Sequence, residues 1–142
     1  HAILAVAELL RALAEQVGSP ESFVGHIGGD DFALISPQEQ AEPLAREAVA
    51  RFAATIPSLY DPADLARGYL MGLDRDGEPR SFPLMGLVVG GVCCTPGRFE
   101  APDDVGRAAA AMRQRAKERG PSGYMIDRGD AALPGLGCPS PV

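Results

Sequence analysis

The sequence has no tryptophan, few aromatic residues and only three cysteines, and it lacks any spacing of cysteine and histidine that would bind zinc. Cys93 and Cys94 are adjacent in an apolar run. Neighbouring side chains of a strand point to opposite faces, so these two do not converge on one metal ion. Cys138 lies in a tail rich in glycine and proline. The cysteines therefore exclude a zinc module and indicate buried free thiols in a reducing cytoplasm.

Positive charge and long apolar runs are also scarce. The formal net charge is -6 and the sequence pI is about 4.8. Because phosphate backbones are held by clustered Lys and Arg, this balance argues against a nucleic-acid partner, although it is compatible with a nucleotide held through metal ions. No stretch approaches the roughly 20 apolar residues of a membrane span, and no secretory signal is visible. We therefore expect a cytoplasmic protein with no membrane span in this chain.

The length and composition predict one domain. A chain of 142 residues that is 46% hydrophobic can bury a sizeable core. From residue 128 onward the sequence consists mainly of glycine, proline and small residues, which cannot bury enough apolar surface to order themselves. We therefore expect a domain over residues 1–127 and a flexible tail over residues 128–142.

Hydrophobic periodicity predicts a mixed α/β protein of the α+β type. Apolar residues three and four positions apart predict a first helix, which Gly18 and Pro20 end. Ser36, Pro37 and Glu39 have the pattern of a helix start with a capping box. Because Pro43 is unfavourable inside a helix, we expect a short turn first and a restart of the main helix at Pro43. Helices are thus expected at 3–17, 43–56 and 103–119, and strands at 23–27, 32–35, 69–73, 82–94 and 124–126.

Three shorter features complete the prediction. Residues 57–67 form a connection with room for one helical turn, and residues 74–77 have the composition of a tight turn. The run 82–94 is the most apolar of the chain and predicts a central strand that is buried on both faces. Its glycines at 86, 90 and 91 indicate a close approach by another backbone or by a ligand. Asp103 or Asp104 is expected to cap the last helix.

The stretch around Gly28-Gly29-Asp30-Asp31-Phe32 is the most informative part of the sequence. Two apolar, strand-forming runs flank two glycines and two carboxylates, which predicts a β-hairpin with an acidic tip. One interpretation is a solvated turn with no further role. The other is a cation site, because adjacent carboxylates repel each other unless a cation lies between them, and hard oxygen ligands suit Mg²⁺ or Mn²⁺.

The string Gly28-Gly29-Asp30-Asp31-Phe32, followed by an apolar strand, resembles the signature of the GGDEF family, the diguanylate cyclases. The fourth letter is Asp where the family has Glu. The order of elements is similar to the later three-quarters of that domain. The run from Leu84 to Gly90 and the pair Ala116-Lys117 before Gly120 resemble further family strings. The resemblance implies a nucleotide-cyclase or polymerase-palm-like fold, with a central, mainly antiparallel sheet flanked by helices.

Several positions depart from the family pattern. The strand that supplies the family's first metal-binding Asp has no counterpart here, and we expect that it was removed or is disordered. His26 replaces an Arg, Val88 replaces a Ser, and Pro121-Ser122 replaces an Arg-Asn pair. Asp31 is one methylene shorter than Glu, which withdraws its carboxylate by roughly 1 Å. These differences favour a degenerate domain.

The resemblance also implies a function. A bacterial diguanylate cyclase condenses two GTP molecules into cyclic di-GMP as a homodimer, usually under the control of an attached sensor or receiver domain. Here Asp30 and Asp31 would be the catalytic metal ligands for Mg²⁺ or Mn²⁺, Gly28 and Gly29 would allow GTP to approach the backbone, and Lys117 would pair with phosphates. The alternative is an inactive module that binds GTP or a partner domain and regulates signalling. For Lys117 a solvated lysine at a helix end, and for His26 a half-buried strand residue, are the structural alternatives.

Overall fold

The structure, a computed structural model, describes residues 2–129. It contains four α-helices and six strands within that range. The helices are α1 (Ala2–Gln16), α2 (Ala41–Thr55), α3 (Pro62–Arg67) and α4 (Pro102–Arg119). The strands are β1 (Phe23–Gly28), β2 (Asp31–Ile35), β3 (Tyr69–Leu73), β4 (Pro79–Pro83), β5 (Val88–Val92) and β6 (Gly123–Asp127). The predictions for residues 130–142 and for Cys138 lie outside the described residues.

The strands pair two by two. β1 and β2 are antiparallel, β3 and β4 are antiparallel, and β5 and β6 are parallel. The parallel pair is joined by α4, which packs on both of its strands, as expected for a βαβ unit. The predicted mixed α+β class is confirmed. The expected central sheet is not formed by residues 2–129, whose strands make three separate two-stranded sheets. The relation to nucleotide cyclases stays a prediction.

The core lies between α1, α2 and the first hairpin. Leu13 is fully buried, and Leu10, Leu44 and Ala48 are buried with it. The spacing of three and four residues that predicted α1 places its apolar side chains on this one face. Partly buried residues from the hairpin and from the approach to β5 cover the same cluster, among them Val24, Phe32, Leu34 and Leu87. The hairpin is therefore anchored along one face, through Val24, Phe32 and Leu34, while its tip remains exposed.

The short turn expected before the second helix is present, but the predicted first residue of the helix and the predicted cap are wrong. Pro43 lies in the first turn of α2, which begins at Ala41. A proline is tolerated there because the first N–H groups of a helix have no intrahelical acceptor. Ser36 caps no helix; its hydroxyl donates to the carbonyl of Pro37 at 3.3 Å, and a 3-10 turn at Gln38–Gln40 precedes α2. The residues match the capping-box pattern, but no side-chain hydrogen bond caps the 3-10 turn that follows.

The apolar run 82–94 is not one strand. β4 ends at Pro83, where the missing N–H prevents further pairing, and β5 begins only at Val88. All five residues of β5 are half-buried, so the strand is less enclosed than the sequence predicted. Cys93, directly after β5, is buried, whereas Cys94 is exposed.

Gly86 and Gly90 of this run are sites of close backbone approach, as predicted, whereas Gly91 lies against the side chain of Ile126. A Cβ placed on Gly90 would lie 2.3 Å from the backbone nitrogen of Arg113 and 2.5 Å from the carbonyl oxygen of Ala109. α4 therefore rests directly on the β5 backbone at this point. A Cβ on Gly86 would likewise collide with the carbonyl oxygen of Pro121.

The remaining connections largely follow the prediction. Residues 57–67 contain a 3-10 turn at Ile56–Leu59 and the short helix α3. The carboxylate of Asp74 accepts hydrogen bonds from the backbone N–H groups of Asp76 and Glu78, which closes the β3–β4 turn. The N-cap of α4 is Ala101, not Asp103 or Asp104. Asp104 instead accepts a hydrogen bond from the Ala101 N–H at 3.0 Å.

Asp127, at the end of β6, makes a polar contact that predicts a pH effect. The Gly129 N–H donates to its carboxylate at 2.9 Å, and Arg98 pairs with it at 2.6 Å. These contacts, the Gly129 hydrogen bond first, lower the pKa of Asp127 although partial burial opposes the shift. Because the pKa is lower in the folded state, this contribution to stability is present above the unfolded pKa and is lost as the pH falls through the folded pKa.

We expect Asp127→Asn to destabilise the domain at neutral pH by less than about 1 kcal/mol, since the pair is partly exposed. Urea unfolding of both proteins at pH 7 and in acid measures the difference, which should shrink towards zero as Asp127 becomes protonated. Asp76→Asn, at an exposed turn where only the backbone of residue 76 is bonded, is the control. A difference that does not change with pH would contradict the assignment.

Candidate functional site

The tip of the β1–β2 hairpin is formed by Gly28, Gly29, Asp30 and Asp31. Gly28 pairs with Asp31, and the register shifts between His26 and Gly28, so Ile27 bulges out of the ladder. Gly29 has φ 58°, a left-handed backbone conformation that residues other than glycine adopt only at a cost in free energy. The sequence thus folds into a tight reversal that presents both carboxylates at one exposed end.

The two glycines leave the backbone of the tip open. Apart from the glycine itself and its two chain neighbours, no residue has a heavy atom within 4 Å of a Cβ placed on Gly28 or on Gly29. This space faces solvent rather than a packed element, since residues 26–31 are all exposed. A polar ligand can therefore reach the main chain at the tip without displacing any side chain.

His26 supports the tip from within the hairpin. Its ring stacks on Phe32, directly opposite in the ladder, with ring centroids 4.7 Å apart. Its Nε2 lies 3.0 Å from the carbonyl oxygen of Gly29. Because a carbonyl only accepts, Nε2 must carry the proton and donate. His26 is exposed rather than half-buried, and it holds the turn.

The two carboxylates have different surroundings. Among residues 2–129, Asp30 makes no hydrogen bond or ion pair with another side chain. Asp31 forms an ion pair with Arg113 of α4, which comes 82 residues later in the chain. The side chains of Asp31 and Arg113 are 50% and 41% exposed, so both members of the pair remain accessible to a ligand.

Arg113 was not among the site residues predicted from the sequence. One signal was available: Lys117, predicted to bind phosphate, follows Arg113 by four residues, and residues four apart share one face of a helix. Lys117 itself is exposed in the last turn of α4, with no ion pair to any described residue. The structure therefore brings Arg113, rather than Lys117, onto the acidic tip.

The number of carboxylates at the tip limits how Mg²⁺ could bind there. No group of three or more His, Cys, Asp or Glu side chains within residues 2–129 is arranged to hold a metal ion. Mg²⁺ is, however, commonly bound by one or two carboxylates together with substrate phosphates and water. Asp30 and Asp31 fit that second role, in which a nucleotide supplies the missing ligands, and they do not fit a self-sufficient metal site.

The segment after α4 has a structural task. Ser122 accepts a hydrogen bond on its hydroxyl from the Leu87 N–H at 3.2 Å, and the carbonyl of Pro121 lies against Gly86. Pro121 and Ser122, which stand where the GGDEF pattern has Arg-Asn, thus fix the residues that lead into β5. They provide no cation for a phosphate.

A concavity of the described chain lies elsewhere, away from the hairpin tip. It has a volume of about 510 Å³ and lies beside the start of α2 and the ends of β5 and β6, with Arg46 and Cys93 in its wall. Arg128 and Glu42, which also line it, form an ion pair with each other. It contains none of the hairpin-tip residues, so the tip is an exposed site rather than a cavity.

Comparison with known proteins returned no matching family, no similar curated protein and no similar solved structure. Among residues 2–129, no helix is long and apolar enough to cross a bilayer.

Proposed function

We propose that this chain is a GGDEF-type domain of the nucleotide-cyclase, palm-like class that binds GTP with Mg²⁺ at the tip of the β1–β2 hairpin. The observation that carries the proposal is the open glycine pair beside two adjacent carboxylates. The glycines let the phosphates lie close to the main chain, and an exposed tip allows a second subunit to face the first. The short signature resemblance and the order of elements support the same assignment.

In the proposed reaction two such subunits bring two GTP molecules together. The 3′ oxygen of each GTP bonds to the α-phosphorus of the other, pyrophosphate leaves, and the hydroxyl proton is released, which gives cyclic di-GMP and two pyrophosphates. Mg²⁺ held by Asp30 and Asp31 would neutralise the triphosphate and lower the pKa of the attacking hydroxyl. Gly28 and Gly29 orient the nucleotide, and Lys117, one turn beyond Arg113, pairs with its phosphates. An attached sensor or receiver domain would control how the subunits meet.

A second candidate is a regulatory domain that binds GTP or a partner domain without turnover. The ion pair between Asp31 and Arg113 favours it, because one of the two carboxylates already has a permanent counter-charge. The use of Pro121 and Ser122 for packing favours it as well. Both candidates share the nucleotide site and differ in the chemistry that follows binding.

The test is a titration of the ¹⁵N-labelled chain with GTP, monitored by the amide signals of residues 28–31. With Mg²⁺ we expect chemical-shift changes at these amides, and with GTP plus EDTA we expect much smaller ones. ATP is the control for the base. Mass spectrometry of the same samples for cyclic di-GMP separates the cyclase from the regulatory domain. If GTP with Mg²⁺ leaves the amides of the tip unchanged at millimolar concentration, the proposed function is wrong.

A further inference from the structure

The hairpin of β3 and β4 has little support from the rest of the described chain. Within residues 2–129 its two strands pair with no third strand, and the main element packed on it is the short helix α3, which comes directly before β3. A two-stranded sheet is only marginally stable in water, and three or more strands are usually needed for independent stability. This hairpin would therefore be stabilised by a further strand.

β3 presents an apolar face to solvent. Exposure alternates along the strand, and Tyr69, Met71 and Leu73 are 39%, 56% and 68% exposed, whereas the two residues between them are half-buried. Alternate side chains of a strand lie on one face, so the three exposed side chains are neighbours. A contiguous apolar patch of this kind is typical of an interaction site.

The backbone of β3 also has an open edge. The Asp74 N–H donates to the Glu78 carbonyl at 2.9 Å, just beyond the last paired residues of the two strands. Hydrogen-bonded and non-hydrogen-bonded pairs alternate in an antiparallel ladder, so the first, third and fifth pairs are not bonded to each other. The N–H and C=O groups of Tyr69, Met71 and Leu73 therefore point away from β4, and none of them is bonded to another described backbone segment.

The two edges of the hairpin differ in their protection against a further strand. By the same alternation Pro79, Ser81 and Pro83 face outward on β4, and two of these three have no N–H to donate. Proline and charged side chains are the usual means of protecting an exposed edge. β3, with the sequence Tyr-Leu-Met-Gly-Leu, contains neither. Only the edge of β3 is therefore suited to accept a strand.

The sequence of β3 is complementary to itself. When two copies of the strand pair in antiparallel fashion about a two-fold axis at Met71, each Met71 lies opposite the other, and Tyr69 lies opposite Leu73 of the second copy. Both are apolar cross-strand pairs, and an aromatic side chain beside an aliphatic one is a favourable combination. All three outward-facing residues of each strand then form main-chain hydrogen bonds.

The charges at the ends of β3 agree with the same register. Asp74, which follows the strand, falls opposite Gly68 of the second copy and beside its Arg67. The guanidinium of Arg67 lies 5.7 Å from the centre of the Tyr69 ring, and its side chain is 41% exposed although it pairs with Asp64. A positive group at the start of one strand thus meets a carboxylate at the end of the other, and the two-fold axis produces this contact twice.

We propose that the open edge of β3 is a homodimer contact, in which two hairpins join through their β3 strands into one four-stranded antiparallel sheet. The charge match at the strand ends favours a second copy over an apolar peptide, which would offer no such pairing. No residue of the β1–β2 tip takes part, so the proposal goes beyond the nucleotide site and does not depend on it.

The contact predicts a weak dimer. Three hydrogen-bonded pairs give about six main-chain hydrogen bonds, two from each pair. The apolar side chains that meet are few, so the buried area stays below the roughly 1,200 Å² at which stable interfaces begin. We therefore expect a monomer at low micromolar concentration and a substantial dimer population as the concentration approaches about 1 mM.

The first test is sedimentation velocity of the 142-residue chain, without nucleotide, from about 10 µM to 1 mM. Met71→Lys places two positive charges opposite each other at the two-fold axis, and we expect it to raise the dissociation constant at least about fivefold. Ser81→Lys is the matched control. It adds the same charge directly across the ladder, on the edge that the dimer does not use, and should leave the dissociation constant within about twofold of the wild type.

The second test is amide hydrogen exchange of the wild type at the two ends of this concentration range. The outward amides of Tyr69, Met71 and Leu73 should exchange more slowly at high concentration, whereas those of Leu70 and Gly72, already bonded to β4, should change little. A chain that stays monomeric near 1 mM would overturn the proposal. So would equal weakening by both lysine variants, or a dimer in which the outward amides of β3 are unchanged. A dimer with these properties and no GTP binding would refute the proposed function alone.

Discussion

Replacing Gly90 with alanine is expected to destabilise the domain by about 2 kcal/mol or more, because overpacking against a rigid neighbour costs about 1–3 kcal/mol. The added Cβ would lie 2.3 Å from the backbone nitrogen of Arg113, and a backbone cannot rotate away as a side chain can. α4 would have to move off β5, which also withdraws Arg113 from the tip. Urea unfolding of the wild type and the variant measures the change.

Gly106 provides the matched control for Gly90→Ala. It lies within α4, the helix that packs on Gly90, and a Cβ placed there would meet no other part of the protein within 4 Å. Gly106→Ala should therefore stabilise the domain by about 0.5–1 kcal/mol through helix propensity alone. If the two alanine variants have the same stability, α4 does not rest on Gly90 as described.

Asp31→Asn is expected to weaken the binding of GTP in the presence of Mg²⁺ about tenfold or more, equivalent to about 1.4 kcal/mol. The substitution keeps the shape of the side chain but removes the charge that would hold the cation. The remaining weak affinity should no longer depend on Mg²⁺. Calorimetric titration with GTP, with Mg²⁺ and with EDTA, measures both effects.

The fold should be retained in Asp31→Asn. The side chain is 50% exposed, and the ion pair that it loses is worth at most about 1 kcal/mol at such a position. Asp76→Asn removes an acidic charge at the exposed turn of the other hairpin and should leave GTP binding unchanged. If the tip has only a structural role, the Mg²⁺-dependent affinity for GTP will be the same in the wild type and in Asp31→Asn.

Much of the secondary structure could be predicted from the sequence because its signals are local. The apolar spacing of the first helix agrees with Ala2–Gln16 to within one residue at each end. The two glycines located the first hairpin, and the turn after β3 followed from Asp74 and Gly77. These features depend on residues that are neighbours in the sequence, so a pattern of a few residues was sufficient to predict them.

The errors occurred where several local solutions were available. Ser36 had the pattern of a cap but caps no helix. Pro43 was predicted to begin the helix after a short turn, and it lies instead in the first turn of α2, which begins at Ala41. The run 82–94 was divided because its first residues pair with β3 and its later ones with β6. Hydrophobicity alone does not reveal which partner a strand takes.

In the candidate site, too, local features followed from the sequence and contacts between distant residues did not. The sequence by itself determined that a hairpin ends in Gly28-Gly29-Asp30-Asp31 and that its glycines expose the backbone, because the turn is built from adjacent residues. Only the tertiary structure decided that Arg113, and not Lys117, meets Asp31. That contact depends on how far along β5 the last helix lies, and the position is set by Gly90, where the absence of a side chain lets the two backbones touch.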